Sequence, residues 1–378
     1  MNKLISIILL GTLSFGAAAQ APAGYYIDTA GLTGYALKTR LHQIIKIGHN
    51  DQGYSSLWNG YQQTDRDYFY ENDGTLLDIY SENPNDNDPY NYVVTNNSDH
   101  CGNYNSEADC FNREHTIPQS LFNEAAPMKN DIQFVLPTDG YVNGKRNNFP
   151  YGKVNSPSWT SLNGSKLGPN ATGTYTGTVF EPIDEFKGDI ARILFYFATR
   201  YQDKIPNFSQ GDILDGTTTR SLQQWQVDLL LEWHNQDPVS DKEISRNNAA
   251  FTYQGNRNPF IDHPQWVNCI WGNTNCATST VDTGDVDSPN TSIRNSVLER
   301  SIELYPNPAY AHLSINSTAD NKILNSKLLS IDGRVLATKE ENWPAASIAL
   351  NVSSLNTGMY FIYISTEKGI VIKKFLKQ

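Results

Sequence analysis

A chain of 378 residues, 39% of them hydrophobic, carries enough apolar material for two or three domains with at least one large core. Its formal net charge of −11 excludes a protein that coats nucleic acid by bulk electrostatics, but leaves room for a local basic site.

The opening residues, MNKLISIILLGTLSFGAAAQ, set Lys3 before an apolar run from Leu4 to Leu13 and end in Ala17, Ala18 and Ala19. That pattern predicts a signal peptide over residues 1–19. A bilayer span needs about 20 uninterrupted apolar residues, and no later segment has them, so the mature chain is expected to be exported and without a stable membrane span. Export makes the two close cysteine pairs, Cys101 with Cys110 and Cys269 with Cys276, read as local disulfides; neither has the CxxC spacing of a zinc site.

Leu37, Leu41, Ile44 and Ile45 predict a helix over Tyr35 to Ile47, with Thr33 placed to cap it. Residues 62–100 are rich in Asp, Asn, Tyr and Pro and read as long loops with strand-like pieces at Leu76 to Tyr80 and Tyr92 to Thr95. The carboxylates of that region (Asp65, Asp67, Glu71, Asp73, Asp78, Glu82, Asp86, Asp88 and Asp99, offset only by Arg66) read as a solvated surface; a calcium site around Asp86 and Asp88 lacks a full loop pattern. A second helix is expected from Asp184, with Phe186, Ile190, Ile193, Leu194 and Phe197 inward and Glu185, Asp189, Arg192 and Arg200 on the other face. A third spans Ser221 to Asn235 and stops before Pro238. Residues 277–300 lack aromatics and read as a linker, and the short β-rich runs beyond it, with turns at Asp332-Gly333 and Lys368-Gly369, predict a small β-sandwich. The expected architecture is α+β: a mainly helical domain over 20–276, the linker, and an all-β tail over 301–378.

Chemistry concentrates between Cys101 and Lys153, where Arg113, Glu114 and His115 share a strand-like piece and Asn143, Gly144, Lys145, Arg146, Asn147 and Asn148 follow in a turn or short helix. Cutting a phosphodiester requires an activated water, neutralisation of charge on the phosphate and relief for the departing oxygen; a neutral imidazole and one hard cation supply all three. His115 has the chemistry of the base, and Glu114 with Asn143 offers the carboxylate and amide oxygens that suit magnesium. An imidazole near its ordinary pKa of about 6.5 would lose activity in acid as it protonates.

The segments NREHTIPQSLF, DIQFVLPTDGYVNGKRNNFPYG, FEPIDEFKGDIARILFYFATRY and LLEWHNQDPVSDKEISRNNAAFTYQGNRNPFIDHP resemble the endonuclease I family of secreted bacterial nucleases, over most of residues 25–275. The resemblance implies a ββα-metal, or His-Me finger, core. It implies His115 as general base and Glu114 and Asn143 as ligands of a divalent metal, Mg2+ first and Ca2+ or Mn2+ as alternatives. It also implies hydrolysis of DNA or RNA to 5′-phosphates. Related members often have histidine where this chain has Gln133.

Arg146, three residues after Asn143, is the first candidate for a phosphate clamp, and Arg113 the next. Arg257 and Lys187 are substrate-binding candidates with an ion-pair role as the plainer alternative. Asp262, His263, His42, His49, His100, His234 and His312 read as structural. No recognition helix is apparent, so little sequence preference and a steep salt dependence are expected of a monomer acting on the nucleic-acid backbone.

In the tail, ELYPNPAYAHLSI, SIDGRVL and LNTGMYFIYISTEKGIVIKKFLKQ resemble the C-terminal sorting domain of the type IX secretion system, over about residues 302–378. That resemblance implies passage through the machinery and a secreted or cell-surface location. A metalloprotease is disfavoured because HExxH is absent; a secreted adhesin without catalysis is the remaining alternative.

Overall fold

The computed structural model describes residues 21–22, 24–272, 301–318, 321–330, 335–366 and 369–378. The expected leader, the linker, Cys276 and the turn at Asp332-Gly333 lie outside the described residues, as does Lys368.

The apolar side chains gather into two clusters, one drawn from Tyr26 to Trp271 and one from Ile302 to Phe375. In the first, α1 (Gly34–Lys46) turns Leu37, Leu41 and Ile45 inward at helical spacing. Thr33 does hold its N-cap position, but its side chain makes no capping bond. After α2 (Leu57–Thr64) come the strands β1 (Phe111–His115) and β2 (Val135–Asp139) and helix α3 (Gly140–Arg146). A small antiparallel sheet follows, built of β3 (Trp159–Thr160), β4 (Lys166–Pro169) and β5 (Thr178–Glu181). The helices α4 (Lys187–Arg200), α5 (Gln224–Gln236), α6 (Asp241–Gln254), α7 (Pro259–Asp262) and α8 (Gln265–Ile270) complete the unit.

Helix α4 departs from the amphipathic expectation, because every residue from Gly188 to Arg200 is buried. It packs against α1 and α5, and its polar face is paired within the protein instead of solvated: Arg192 grips Glu243, and Asp189 is bonded by Lys242. For Arg192 and Asp189 the enclosure is tolerable because each buried charge meets an opposite one.

The acidic loops are likewise less solvated than composition suggested, with Asp65, Asp67, Asp78 and Glu82 all buried. Asp65 pairs with Arg246 at 2.7 Å, and Asp78 accepts from the amides of Tyr80 at 2.8 Å and Asp139 at 2.7 Å. The strand-like pieces around Leu76 and Tyr92 meet through one backbone bond of 2.8 Å but form no ladder, since their amides are spent on these carboxylates and turns.

In the second cluster, β6 (Ile302–Tyr305), β7 (His312–Ser317) and β10 (Ser347–Asn351) form one antiparallel sheet. The other contains β8 (Ile323–Leu329), β9 (Val335–Ala345), β11 (Gly358–Thr366) and β12 (Gly369–Lys377), in the order β12-β11-β8-β9. Alternate residues such as Leu313 and Ile315, or Ile362 and Ile364, fill the apolar cluster between them. Among the described residues no helix is long and apolar enough to cross a membrane.

Buried histidines make this fold sensitive to acid. His42 turns Nδ1 to the carbonyls of Thr199 and Arg200 at 3.1 and 3.0 Å, and burial lowers its pKa to about 4. Between pH 4 and 6.5 the unfolded chain therefore binds a proton that the folded chain refuses, and folding stability falls with acidification. His42→Gln keeps a donor for those carbonyls but does not titrate. The stability difference between wild type and variant should shift against wild type by about 1.4 kcal/mol per pH unit in that window. Denaturant titrations at several pH values check this, and a pH-independent difference would contradict it.

Candidate active site

The antiparallel pair β1 and β2, in register with Glu114 opposite Leu136 and His115 opposite Val135, leads directly into α3. Asp139 makes the join. It ends β2, accepts from the amide of Val142 at 2.8 Å as the N-cap of α3, and takes a further bond of 2.6 Å from the Tyr92 hydroxyl. The Cys101–Cys110 disulfide stands immediately before β1, and its Cys101 sulfur lies where α3 begins. A Cβ on Gly140 would approach that sulfur to 2.3 Å, so only glycine lets the helix seat there. Of the two expected disulfides this one is present; Cys269 is also disulfide-bonded, with its expected partner Cys276 outside the described residues.

Alternation along β1 sends Arg113 and His115 to one face and Asn112 and Glu114 to the other. His115 is 5% exposed. Its Nε2 lies 3.1 Å from the carbonyl of Lys129, which can only accept, so the ring proton sits on Nε2 and Nδ1 keeps its lone pair. Burial, then the charges of Lys129, Arg113 and Arg146, pull the imidazole down to about 4, against the opposing pull of the Lys129 carbonyl. The ring is thus neutral well below the ordinary histidine value, and the expected loss of base form near pH 6.5 moves to about 4.

Glu114 is 1% exposed and commits one oxygen, Oε1, to three donors. These are the hydroxyls of Tyr80 and Tyr151 at 3.1 and 3.2 Å and the Arg146 guanidinium at 3.1 Å. Burial pushes its carboxyl above the usual range, opposed by Arg146 and then by the two phenols. Oε2 accepts no hydrogen bond from a described residue. Asn143 is similar: its Nδ2 donates to Asn112 Oδ1 at 2.6 Å, and its Oδ1, on a half-buried side chain, accepts no hydrogen bond from a described residue. Since Asn112 and Glu114 share a face of β1, this bond draws Asn143 toward the side of the strand that carries Glu114.

Arg146 requires a correction. It does follow Asn143 by one helical turn, but it is 1% exposed. Its Nη1 donates to the His115 carbonyl at 2.8 Å and its Nη2 to the Thr116 carbonyl at 2.6 Å, in addition to the Glu114 pair. A guanidinium spent on two carbonyls and a buried carboxylate has no fork left for a phosphate. Arg257 and Lys187 are corrected in the same way, since Arg257 is 2% exposed and forked onto Asp262. Lys187 bonds Glu181 and Asp184, each at 2.6 Å. Arg113 differs. It is half-buried, donates to the Tyr54 carbonyl at 3.0 Å, has no carboxylate partner among the described residues, and lies over the rings of Tyr54 at 3.6 Å and Trp58 at 4.4 Å.

The sequence reading missed Tyr54 and Lys129. The Tyr54 ring stands 6.0 Å from His115, and the Lys129 ammonium 4.9 Å from that ring. His100, read as a structural loop residue, stacks on Trp58 at 3.9 Å. Together these make a row of half-buried rings and cations beside the imidazole. Gln133 is buried and donates to Asn247 at 3.0 Å and the Asn256 carbonyl at 3.1 Å, so here it ties β2 to the α6–α7 region.

Comparison with known proteins bears on this site. Residues 33–265 match the model of the family Endonuclease I, and residues 303–378 that of the secretion system C-terminal sorting domain. The chain is 37% identical over 253 residues to an extracellular ribonuclease of Bacillus amyloliquefaciens, spanning 65% of this chain and 78% of the relative. Against an extracellular ribonuclease of Bacillus subtilis (strain 168) it is 36% identical over 272 residues, or 69% and 84% of the two chains. An Endonuclease-1 of Buchnera aphidicola subsp. Baizongia pistaciae is 29% identical over 148 residues, 39% of this chain and 51% of the relative.

Proposed function

The chain belongs to the endonuclease I family and is a secreted nuclease, and from that premise we propose that His115 is its general base and that Glu114 and Asn143 hold a divalent metal beside it. The observation that carries the reading is the set of acceptors left over once the protein's own bonds are counted: Nδ1 of His115, Oε2 of Glu114 and Oδ1 of Asn143. Each has its other polar atom held by a protein bond, which leaves the spare atom for an ion or a water.

The donor set fits a hard cation, with one carboxylate and one amide oxygen from the protein and room for waters; Mg2+ suits it first, with Ca2+ or Mn2+ as alternatives. When bound, such an ion neutralises charge on the phosphate and on the departing oxygen. The protein's own part follows from its bonds. The Lys129 carbonyl fixes the tautomer, and burial keeps the imidazole neutral, so Nδ1 is ready to take a proton from the attacking water. Arg113, held over the rings of Tyr54 and Trp58, presents a planar cation on the same face as His115 for a phosphate oxygen. The β1-β2-α3 unit that carries these groups is the ββα-metal core in this reading.

Backbone phosphate is the target, so RNA and DNA are both substrates with little sequence preference, RNA being favoured by the names of the Bacillus relatives. Products carry 5′-phosphates. The C-terminal β-sandwich is the address for the type IX machinery. Matched RNA and DNA incubated with the secreted chain should be cut, should cease to be cut in excess chelator, and should be cut again when Mg2+ is restored. Undiminished turnover in chelator would sink the metal assignment, and 3′-phosphate ends the proposed direction of attack.

A further inference from the structure

The acidic loop contains a second place built for a cation. Single carboxylate oxygens of Asp67, Glu71 and Glu82 all lie within 4.8 Å of one another. Asp67 is 1% exposed and rigidly aimed: its Oδ1 accepts from the amides of Phe69 and Tyr70, each at 3.0 Å, and its Oδ2 from Asn72 at 2.9 Å. Glu82 is 0% exposed, and among the described residues neither of its oxygens has a hydrogen-bond partner; Glu71 Oε2 is orphaned in the same way. Lys242, the cation that faces this loop from α6, is bonded to Asp189 instead.

Carboxylates this close and this dry cannot all stay ionised unless a cation lies between them; without one, a proton must take its place. Two oxygens on opposite sides of a calcium ion stand about 4.8 Å apart, because calcium–oxygen bonds run near 2.4 Å. Magnesium keeps most of its waters and takes one or two carboxylates, whereas calcium accepts several carboxylates and irregular geometry. We propose that Asp67, Glu71 and Glu82 bind a structural calcium ion, distinct from the metal of the Glu114–Asn143 pair. Half-buried Glu71 leaves a side open to solvent for entry and for water ligands. The ion cross-links residues 67–71 to Glu82 across the segment that carries Asp78 and Tyr80. Those two residues bond the Asp139 amide and Glu114 Oε1, so the calcium site braces the strand pair under the active site.

The test uses the whole chain, stripped with chelator and titrated with calcium chloride, in four forms: wild type, Glu82→Gln, Glu71→Gln and Asn143→Ala. Calcium at about a hundredfold over its dissociation constant should raise the unfolding midpoint of wild type and Asn143→Ala by roughly 5–10 °C. Neither glutamine variant should respond. Glu82→Gln, which replaces a buried carboxyl without hydrogen-bond partners by a group that carries no charge at any pH, should be at least as stable as wild type in chelator. A calcium response kept by both glutamine variants, or none in wild type, would overturn the proposal. A response that disappears with Asn143 and persists in Glu82→Gln would place the ion at the catalytic pair, leaving the nuclease reading intact and this one refuted. Half-exposed Glu71→Gln guards against a folding failure at buried Glu82.

Discussion

His115→Ala is expected to lower kcat on nucleic acid by about 10²–10⁴-fold, the range general bases contribute, with KM little changed. A kcat loss matched in kcat/KM marks an interaction made only on the way to the transition state. The ring also packs among Tyr54, Phe122 and Phe134, at centroid distances of 6.0, 6.3 and 6.2 Å, so truncation disturbs packing as well as chemistry. His115→Gln separates the two effects. A glutamine fills more of the space and offers a donor to the Lys129 carbonyl, yet cannot serve as a base near neutral pH. If the imidazole acts as proposed, both variants are equally inactive while only the alanine one loses stability. Turnover restored by glutamine, or retained by alanine, would mean the histidine merely supports the strand end.

Much of this site could be read from the chain because its signals are local. Adjacent Glu114 and His115 lie on a short strand, and period-two alternation already separates the pair Asn112 and Glu114 from the pair Arg113 and His115. The first, fourth and fifth helices were legible through their apolar spacing. Helix α6 was missed because it is mostly polar, although its start carries a capping box in which Ser240 and Glu243 bond each other's backbone. Burial of the acidic loop and of Arg146 could not be read, because it depends on partners far along the chain. Spacing showed that Arg146 shares a helical face with Asn143; it could not show that the arginine's end of the helix faces Glu114, Tyr80 and Tyr151. The tautomer of His115 rests on a backbone carbonyl, which no side-chain pattern reports.

That hidden burial makes Arg146→Ala the variant with the largest expected loss of stability. The substitution strands the Glu114 carboxylate, 1% exposed, and frees the carbonyls of His115 and Thr116 that Arg146 holds at 2.8 and 2.6 Å. Breaking a buried ion pair by deleting one partner costs about 3–5 kcal/mol, which for a domain of this size lowers the unfolding midpoint by roughly 6–20 °C. Arg146→Lys should rescue little, since one ammonium cannot span two carbonyls and a carboxylate as the planar fork does. Arg113→Ala is expected to behave in the opposite way. Among the described residues its half-buried guanidinium makes one hydrogen bond and stacks on two rings, so stability should change by no more than about 1 kcal/mol. Its kcat/KM should fall, and the slope of log affinity against log salt should flatten by about one. Calorimetry and salt-dependent kinetics on the two variants decide which arginine meets the phosphate. A stable Arg146→Ala with a flattened salt slope would return the clamp to α3 and take it from β1.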